Sequence, residues 1–165
     1  IIKTNNIFKK TAAYLNDGKI GAIFNGRSEF GPRALGNRSI ICKPYPKGMK
    51  DYLNNKVKFR ENFRPFAPIV LDNFQNKYFN STKESPHMLY AIKAKKKFLN
   101  KISATVHVDG TSRVQTVTKK NNTNLYNILK EFYNITEVPV LLNTSFNVKG
   151  QPIVDNPENA LKTFF

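Results

Sequence analysis

Apolar residues along this chain keep two rhythms, one of helical spacing and one of short continuous runs. Phe8, Thr11, Ala12 and Leu15 share a helical face and Gly18 follows where a left-handed closing residue belongs, which predicts a first helix over residues 6–16. Residues 20–24 then read as a short buried strand and 39–42 as a second. Met49, Leu53 and Val57, four apart, mark a helix that ends by delivering Lys58. Residues 67–71 are strand-like after two prolines, 73–79 form a short helix around Phe74 and Tyr78, 80–86 a surface loop and 88–92 another strand. Alternation in ATVHVDG and RVQTV, joined by residues 109–112, predicts an antiparallel hairpin. The strongest helical stripe is Leu125, Ile128, Leu129 and Phe132, over residues 122–133, and it leads into 138–142, an apolar run suited to a strand buried on both faces. Asn156 and Pro157 cap a last helix over 157–165. Helices and strands alternate with at least one hairpin, so the expected class is α/β (α+β) around a mixed sheet.

At 165 residues the chain has the size of one domain with its own core, and its 40% hydrophobic and 23% charged residues are ordinary globular usage. The charge balance changes the picture. Twenty-seven Lys and Arg against 11 Asp and Glu leave a net +16, a field that attracts phosphates, nucleotides, nucleic acid or an acidic partner without choosing among them. A single cysteine, Cys42, excludes an internal disulfide, and with only His87 and His107 no metal-ligand spacing is present, so no metal site is expected. His107 sits between Val106 and Val108 and reads as structural, and His87 as exposed. No apolar run has membrane-spanning length and IIKTNN carries no signal-peptide pattern, which gives a cytoplasmic expectation with no membrane partner. The chain reads as a piece of something longer.

Candidate chemistry gathers in three places. KFRENFRPF puts Lys58, Arg60 and Arg64 on one turn together with Phe59, Phe63 and Phe66, whose burial would brace it, and Pro65 prevents helix from continuing through Arg64. Such a turn makes an anion pocket. GRSEFGPRALGNRSI spaces Gly26, Gly31 and Gly36 by five and sets Arg27, Arg33 and Arg38 beside them, offering close backbone approach and planar forks for phosphate, yet it contains neither a P-loop nor a dinucleotide fingerprint. NTSFNVKGQP leaves the carboxyl end of the buried strand, where Asn143, Ser145 and Asn147 are placed to donate to an oxyanion or phosphate. Ser145 lacks a nucleophile elbow. The lysine-rich stretch 93–101 reads as a solvated loop.

The blocks EFGPRALGNRSI, VKFRENFRPFAP, VHVDGTSRVQTV and PVLLNTSFNVKGQPI, in that order, resemble the carboxyl-terminal region of NodU/CmcH-type O-carbamoyltransferases, over about Ala12 to Phe165. The resemblance implies a YrdC-like fold, a twisted mixed sheet surrounded by helices. The shared K-x-R and S-x-N signature matches Lys58-Phe59-Arg60 and Ser145-Phe146-Asn147. It further implies that carbamoyl phosphate and ATP, the latter with Mg2+, are bound here to form carbamoyl adenylate. An amino-terminal actin-like domain of the same full-length protein, absent from this chain, would then transfer the carbamoyl group to a hydroxyl acceptor. By the same resemblance Lys58, Arg64, Arg113 and Ser145 hold carbamoyl phosphate, Asn147 assists at the nucleotide phosphates, and Arg33 and Arg38 are site or interdomain residues. Two other readings stand beside this one: a basic nucleic-acid-binding module of YrdC-like type, and a catalytically silent fragment.

Overall fold

The computed structural model describes residues 4–165; residues 1–3, where IIKTNN begins, lie outside the described residues. A five-stranded sheet in the order β1-β2-β7-β3-β6 forms the frame. Its strands are β1 (Gly21–Phe24), β2 (Arg38–Cys42), β3 (Ala67–Leu71), β6 (Gln115–Val117) and β7 (Val140–Ser145). Strand β7 is central and antiparallel to both β2 and β3, whereas β6 lies parallel to β3. The sheet is therefore mixed, as alternating elements predict. Val140, Leu141 and Leu142 are wholly buried because neighbours cover both faces, which explains why this strand is a continuous apolar run.

Helix α1 (Ile7–Asn16) turns Ala12 and Leu15 inward and lies on α5 (Thr123–Thr136). The α5 stripe Leu125, Ile128, Leu129 and Phe132 is buried in the same core. Asn122 caps α5 by accepting from the Leu125 amide at 3.0 Å, and Glu137 closes it in the left-handed region. At the far end of the chain, Asn156 accepts from the Asn159 amide at 2.9 Å, with Pro157 opening α6 (Pro157–Phe164). No helix among the described residues is long and apolar enough to cross a membrane.

Three expectations are corrected. ATVHVDG and RVQTV do not form a hairpin: residues 103–105 make a 3-10 turn, His107 and Thr111 close a reverse turn, and RVQTV divides at the buried Val114. Strand β5 (Thr111–Arg113) pairs antiparallel with β4 (Ala91–Lys93), while β6 joins the main sheet, so two halves of one alternating run serve different sheets. The strand expected over 88–92 is displaced to β4, with Met88 instead in the left-handed region at φ 56°. The lysine-rich stretch continues from β4 through a 3-10 turn into α4 (Leu99–Ile102) rather than forming a loop.

Register places the functional residues. Ser145 pairs with Ser39, Asn143 with both Ile41 and Ala67, and Gln115 with Ile69. The end of β7 thus lies beside the starts of β2 and β3, with the start of β6 next across β3, and one end of the sheet collects loops from four regions of sequence.

Candidate active site

Lys58 is delivered as the spacing of Met49, Leu53 and Val57 predicts. Helix α2 (Gly48–Leu53) widens into a π-helical turn over Asn54–Lys58 and stops at Phe59, which adopts the left-handed conformation at φ 49°. A β-carbon-bearing residue in that region is strained and persists only where its surroundings hold it. The holding group is Asn54. This buried side chain accepts from Arg60 Nε at 2.8 Å and donates to the Arg64 carbonyl at 3.1 Å, tying both ends of the turn to its start.

The expectation that all three phenylalanines brace this turn is corrected. Phe66 is 3% exposed, but Phe59 and Phe63 are 58% and 76% exposed. Polar ties through Asn54 do the bracing, helped by the Arg60 guanidinium resting 4.7 Å above the Phe66 ring.

Lys58 Nζ reaches across the sheet end to the loop after β7. It donates to the Asn147 Oδ1 and Asn147 carbonyl, each at 2.6 Å, and to the Ser145 carbonyl at 2.8 Å, with Ser145 Oγ at 3.4 Å. Ser145 Oγ donates to Asn147 Oδ1 at 2.7 Å, and Asn147 Nδ2 donates to the Gln151 carbonyl at 2.8 Å. The K-x-R and S-x-N segments are therefore one hydrogen-bonded unit. Burial, and secondarily the Arg60 charge, lowers the Lys58 ammonium to about 7.

Two cavities flank this unit. One, of about 310 Å³, is lined by Lys58, Arg60, Arg64, Ser145 and Asn147, with Glu61 at its edge. The other, of about 140 Å³, is lined by Arg33, Arg60, Arg113, Asn143 and Ser145. Arg60 and Ser145 form the wall between them, so Lys58, Arg64, Arg113 and Ser145 surround two adjoining compartments rather than one undivided hole.

Electrostatically the compartments are strongly cationic, and Glu61, the one carboxylate among their described lining residues, is held by Arg64. Among the described residues the ion pairs are Arg64 with Glu61 at 2.9 Å and Lys162 with Glu158 at 2.7 Å, so Lys58, Arg33, Arg60 and Arg113 face the cavities without a carboxylate partner. Arg60 and Arg113 are both lowered from the ordinary guanidinium value, first by burial and then by a neighbouring guanidinium, Arg64 for the one and Arg33 for the other. Cations packed this closely, with Glu61 as the one carboxylate on the cavity walls, are arranged for an anionic guest.

Other sequence-selected groups have different positions. Arg38 lines neither cavity: its guanidinium donates to the carbonyls of Asn25, Asn37 and Gly26, each at 3.0 Å, and rests 3.6 Å over the Phe24 ring. It braces the glycine-arginine loop from inside. Asn143 lines the smaller cavity, but its Nδ2 already donates to the Ala34 carbonyl at 2.9 Å and to Gln115 Oε1 at 3.0 Å. It fixes the Arg33 loop to the sheet and has no amide hydrogen left for a phosphate.

Sequence reasoning missed three supporting residues. Asn54 has no motif to mark it. Glu29 Oε1 accepts from the Leu35 and Asn37 amides at 2.6 and 2.7 Å, folding the loop around Arg33. Gln115 Nε2 donates to the Leu35 carbonyl at 2.8 Å. A lone acid within a basic, glycine-rich loop was the available signal for Glu29.

With this geometry in place, comparison with known proteins is decisive. Residues 12–165 match the family described as Carbamoyltransferase C-terminus. This chain belongs to that family. Nodulation protein NolNO of Sinorhizobium fredii is 42% identical over 99% of the chain and 25% of its own length. Nodulation protein NolO of Bradyrhizobium diazoefficiens is 40% identical over 99% of the chain and 30% of its own length. The chain thus spans about a quarter to a third of these relatives. Among solved structures, HypF of T. kodakarensis superposes with a TM-score of 0.69 at 19% identity, over 98% of this chain and 20% of that one. A phosphate- and nucleotide-bound full-length HypF gives 0.63 at 20% identity, over 99% and 20%. These superpositions agree with the mixed α/β fold expected from the sequence.

Proposed function

We propose that this chain is the carbamoyl-activating part of an O-carbamoyltransferase, binding carbamoyl phosphate and ATP side by side and forming carbamoyl adenylate. One observation carries the reading: two anion-sized compartments share the Arg60–Ser145 wall, with unpaired cations on each side. Lys58, Arg64 and Ser145 face the compartment assigned to carbamoyl phosphate, with Arg113 beyond the wall. Arg33 and Arg60 serve the nucleotide phosphates from the smaller compartment, whereas Asn147, expected there, lines the larger one beside Lys58.

The chemistry asks for positioning and charge stabilisation. Water cleaves carbamoyl phosphate to carbamate and inorganic phosphate. A carbamate oxygen then attacks the α-phosphorus of ATP, the bond to the β-phosphate oxygen breaks, and pyrophosphate leaves. No protein nucleophile is needed, because fixed guanidinium, ammonium and hydroxyl donors stabilise the charge gathering on phosphoryl oxygens. Glu61, the carboxylate beside the larger cavity, is engaged by Arg64, so magnesium would travel on the nucleotide phosphates. Transfer to a hydroxyl acceptor is assigned to an amino-terminal actin-like domain of the full-length protein, in a cytoplasmic setting.

The test is carbamoyl-phosphate-dependent exchange of labelled pyrophosphate into ATP. Exchange that requires carbamoyl phosphate and disappears in Lys58→Ala or Arg64→Ala supports the reading. Nucleotide-independent binding to RNA with a steep salt dependence, untouched by those substitutions, would support the nucleic-acid module instead.

A further inference from the structure

Away from the cavities at the sheet end, Lys83 and Lys93 line a depression of about 380 Å³ together with Asn80, Ser81 and Tyr90. None of these five residues lines either cationic compartment. Backbone contacts fix its walls. The Asn80 amide donates to the Lys93 carbonyl at 2.9 Å, the Lys83 amide to Ser81 Oγ at 3.1 Å, and Gln75 Nε2 to the Lys83 carbonyl at 2.9 Å. Gln75 is buried, so the loop over residues 80–83 is tied to the core. Lys83 Nζ stands 4.8 Å from the centroid of the Tyr90 ring, a cation–π contact that holds this long side chain at the depression.

Strand register adds a backbone donor. Ile92 faces Ser112 and the Ala94 amide donates to the Gly110 carbonyl, so the even-numbered residues from β4 onward direct their amides at β5, whereas Ala91 and Lys93 turn theirs away. Ala91 lines the depression, and its amide meets no acceptor among the described residues. Carboxylates leave the two lysines free. Neither is in an ion pair among the described residues, and Glu84, next to Lys83, lies outside the lining. Asp109 Oδ1 accepts from the Thr111 amide and hydroxyl, each at 2.8 Å. Lys93 Nζ donates to the Asp109 carbonyl and keeps further hydrogens for a guest. Lys77, Lys95, Lys96 and Lys97, likewise without ion pairs among the described residues, extend the positive field along the adjoining turns.

We infer that this depression beside β4 is a second anion site, one that takes a phosphate-type oxyanion: inorganic phosphate or the phosphoryl group of a monoester. Its cations are lysines alone. Ammonium groups are compact point charges that meet a tetrahedral oxyanion from several directions, whereas a guanidinium fork suits planar, bidentate recognition. Lys83, Lys93 and the Ala91 amide supply the donors, and Tyr90 with Ile92 gives an organic ester group an apolar wall. The site is independent of the carbamoyl phosphate and ATP assignment, because it shares no residue with the compartments on which that assignment rests.

The experiment is residue-resolved NMR titration of the full chain with inorganic phosphate and, separately, with phenyl phosphate, in wild type, Lys83→Ala and Lys83→Glu. Ionic strength is held constant with sodium chloride, so that general screening does not move the signals. Lys83 is exposed, so both variants fold. The inference predicts that the Ser81, Lys83, Ala91 and Lys93 amides shift saturably in wild type. Lys83→Ala weakens that binding by about tenfold, the scale of one hydrogen bond to a charged group, and Lys83→Glu abolishes it. Both variants leave any shifts at Ser145 and Asn147 as they are in wild type. Tighter binding of phenyl phosphate supports a monoester as the occupant and equal affinity supports free phosphate; either result upholds the site. Amides around β4 that do not shift, that shift without saturating, or that shift equally in all three proteins overturn it.

Discussion

Lys58 Nζ lies 2.6 Å from Asn147 Oδ1, although 89 positions separate the two residues in sequence. This contact joins the turn after α2 to the loop after β7 and makes the ammonium a structural tie as well as a candidate ligand group. Substituting Lys58→Ala therefore has two effects. It removes a positive charge from the cavity wall and frees the Ser145–Asn147 loop that this ammonium holds with all three of its hydrogens, which lowers carbamoyl phosphate affinity by about tenfold or more. It also leaves the Ser145 and Asn147 carbonyls without their donor. Titration calorimetry alongside urea denaturation reads the two losses separately.

The lowered Lys58 ammonium gives a pH dependence of known sign. Carbamoyl phosphate binding should weaken as pH rises above about 7, because the free protein loses this charge first. Phosphate esters are already dianions there, with a second pKa of about 6. In Lys58→Met the affinity is low and flat from pH 7 to 9. Stability runs the other way: the unfolded lysine, with a pKa of about 10.4, binds more protons than the folded one between about pH 7 and 10, so this group makes folding more favourable as pH rises through that window. Binding and denaturation series across the same buffers test both slopes.

Glu29 should matter out of proportion to its distance from the cavities. Glu29→Ala removes the acceptor of two backbone amides, at about 1–3 kcal/mol for the groups left unpaired, and releases the loop carrying Arg33. Glu29→Gln retains an acceptor oxygen and should recover most of the stability and of the nucleotide affinity. Urea midpoints and nucleotide titrations of the two variants provide the comparison.

Gly36 is the one glycine whose replacement meets protein immediately. A β-carbon there would lie 2.6 Å from Leu125 Cδ2 and 2.7 Å from Asn122 Nδ2, at φ 118°. Neither neighbour can retreat, since Leu125 is wholly buried and Asn122 caps α5 while its Nδ2 donates to Asn37 Oδ1. Gly36→Ala is expected to destabilise the fold by about 2–3 kcal/mol, measurable as a lowered urea midpoint with an unchanged slope.

The elements legible in the sequence were those whose signal is local or periodic. The Leu125–Phe132 stripe, the apolar run into β7 and the Asn156-Pro157 cap each state their own geometry. Pairing is not local, and there the reading failed: alternation from Ala104 to Val117 marks residues able to sit on a pleat, but it says nothing of partner, and Val114 separates two sheets. At the site, Lys58, Ser145 and Asn147 were legible through their motifs and do meet. Arg38 and Asn143 looked equally suited to an anion, yet the terminal guanidinium nitrogens of Arg38 and the amide nitrogen of Asn143 are engaged by carbonyls and by Gln115, a fact carried by three-dimensional neighbours. Asn54 was invisible because a buried brace has no periodicity, and Phe59 and Phe63 misled because an aromatic residue in a short turn need not find a core.

Thermal-shift titration with carbamoyl phosphate, at low and moderate salt, tests the central claim most directly when wild type is compared with Lys58→Ala and Arg64→Ala. The account predicts a melting temperature that climbs with ligand in wild type at both salts and stays flat in both variants. An equal climb in all three proteins would contradict it.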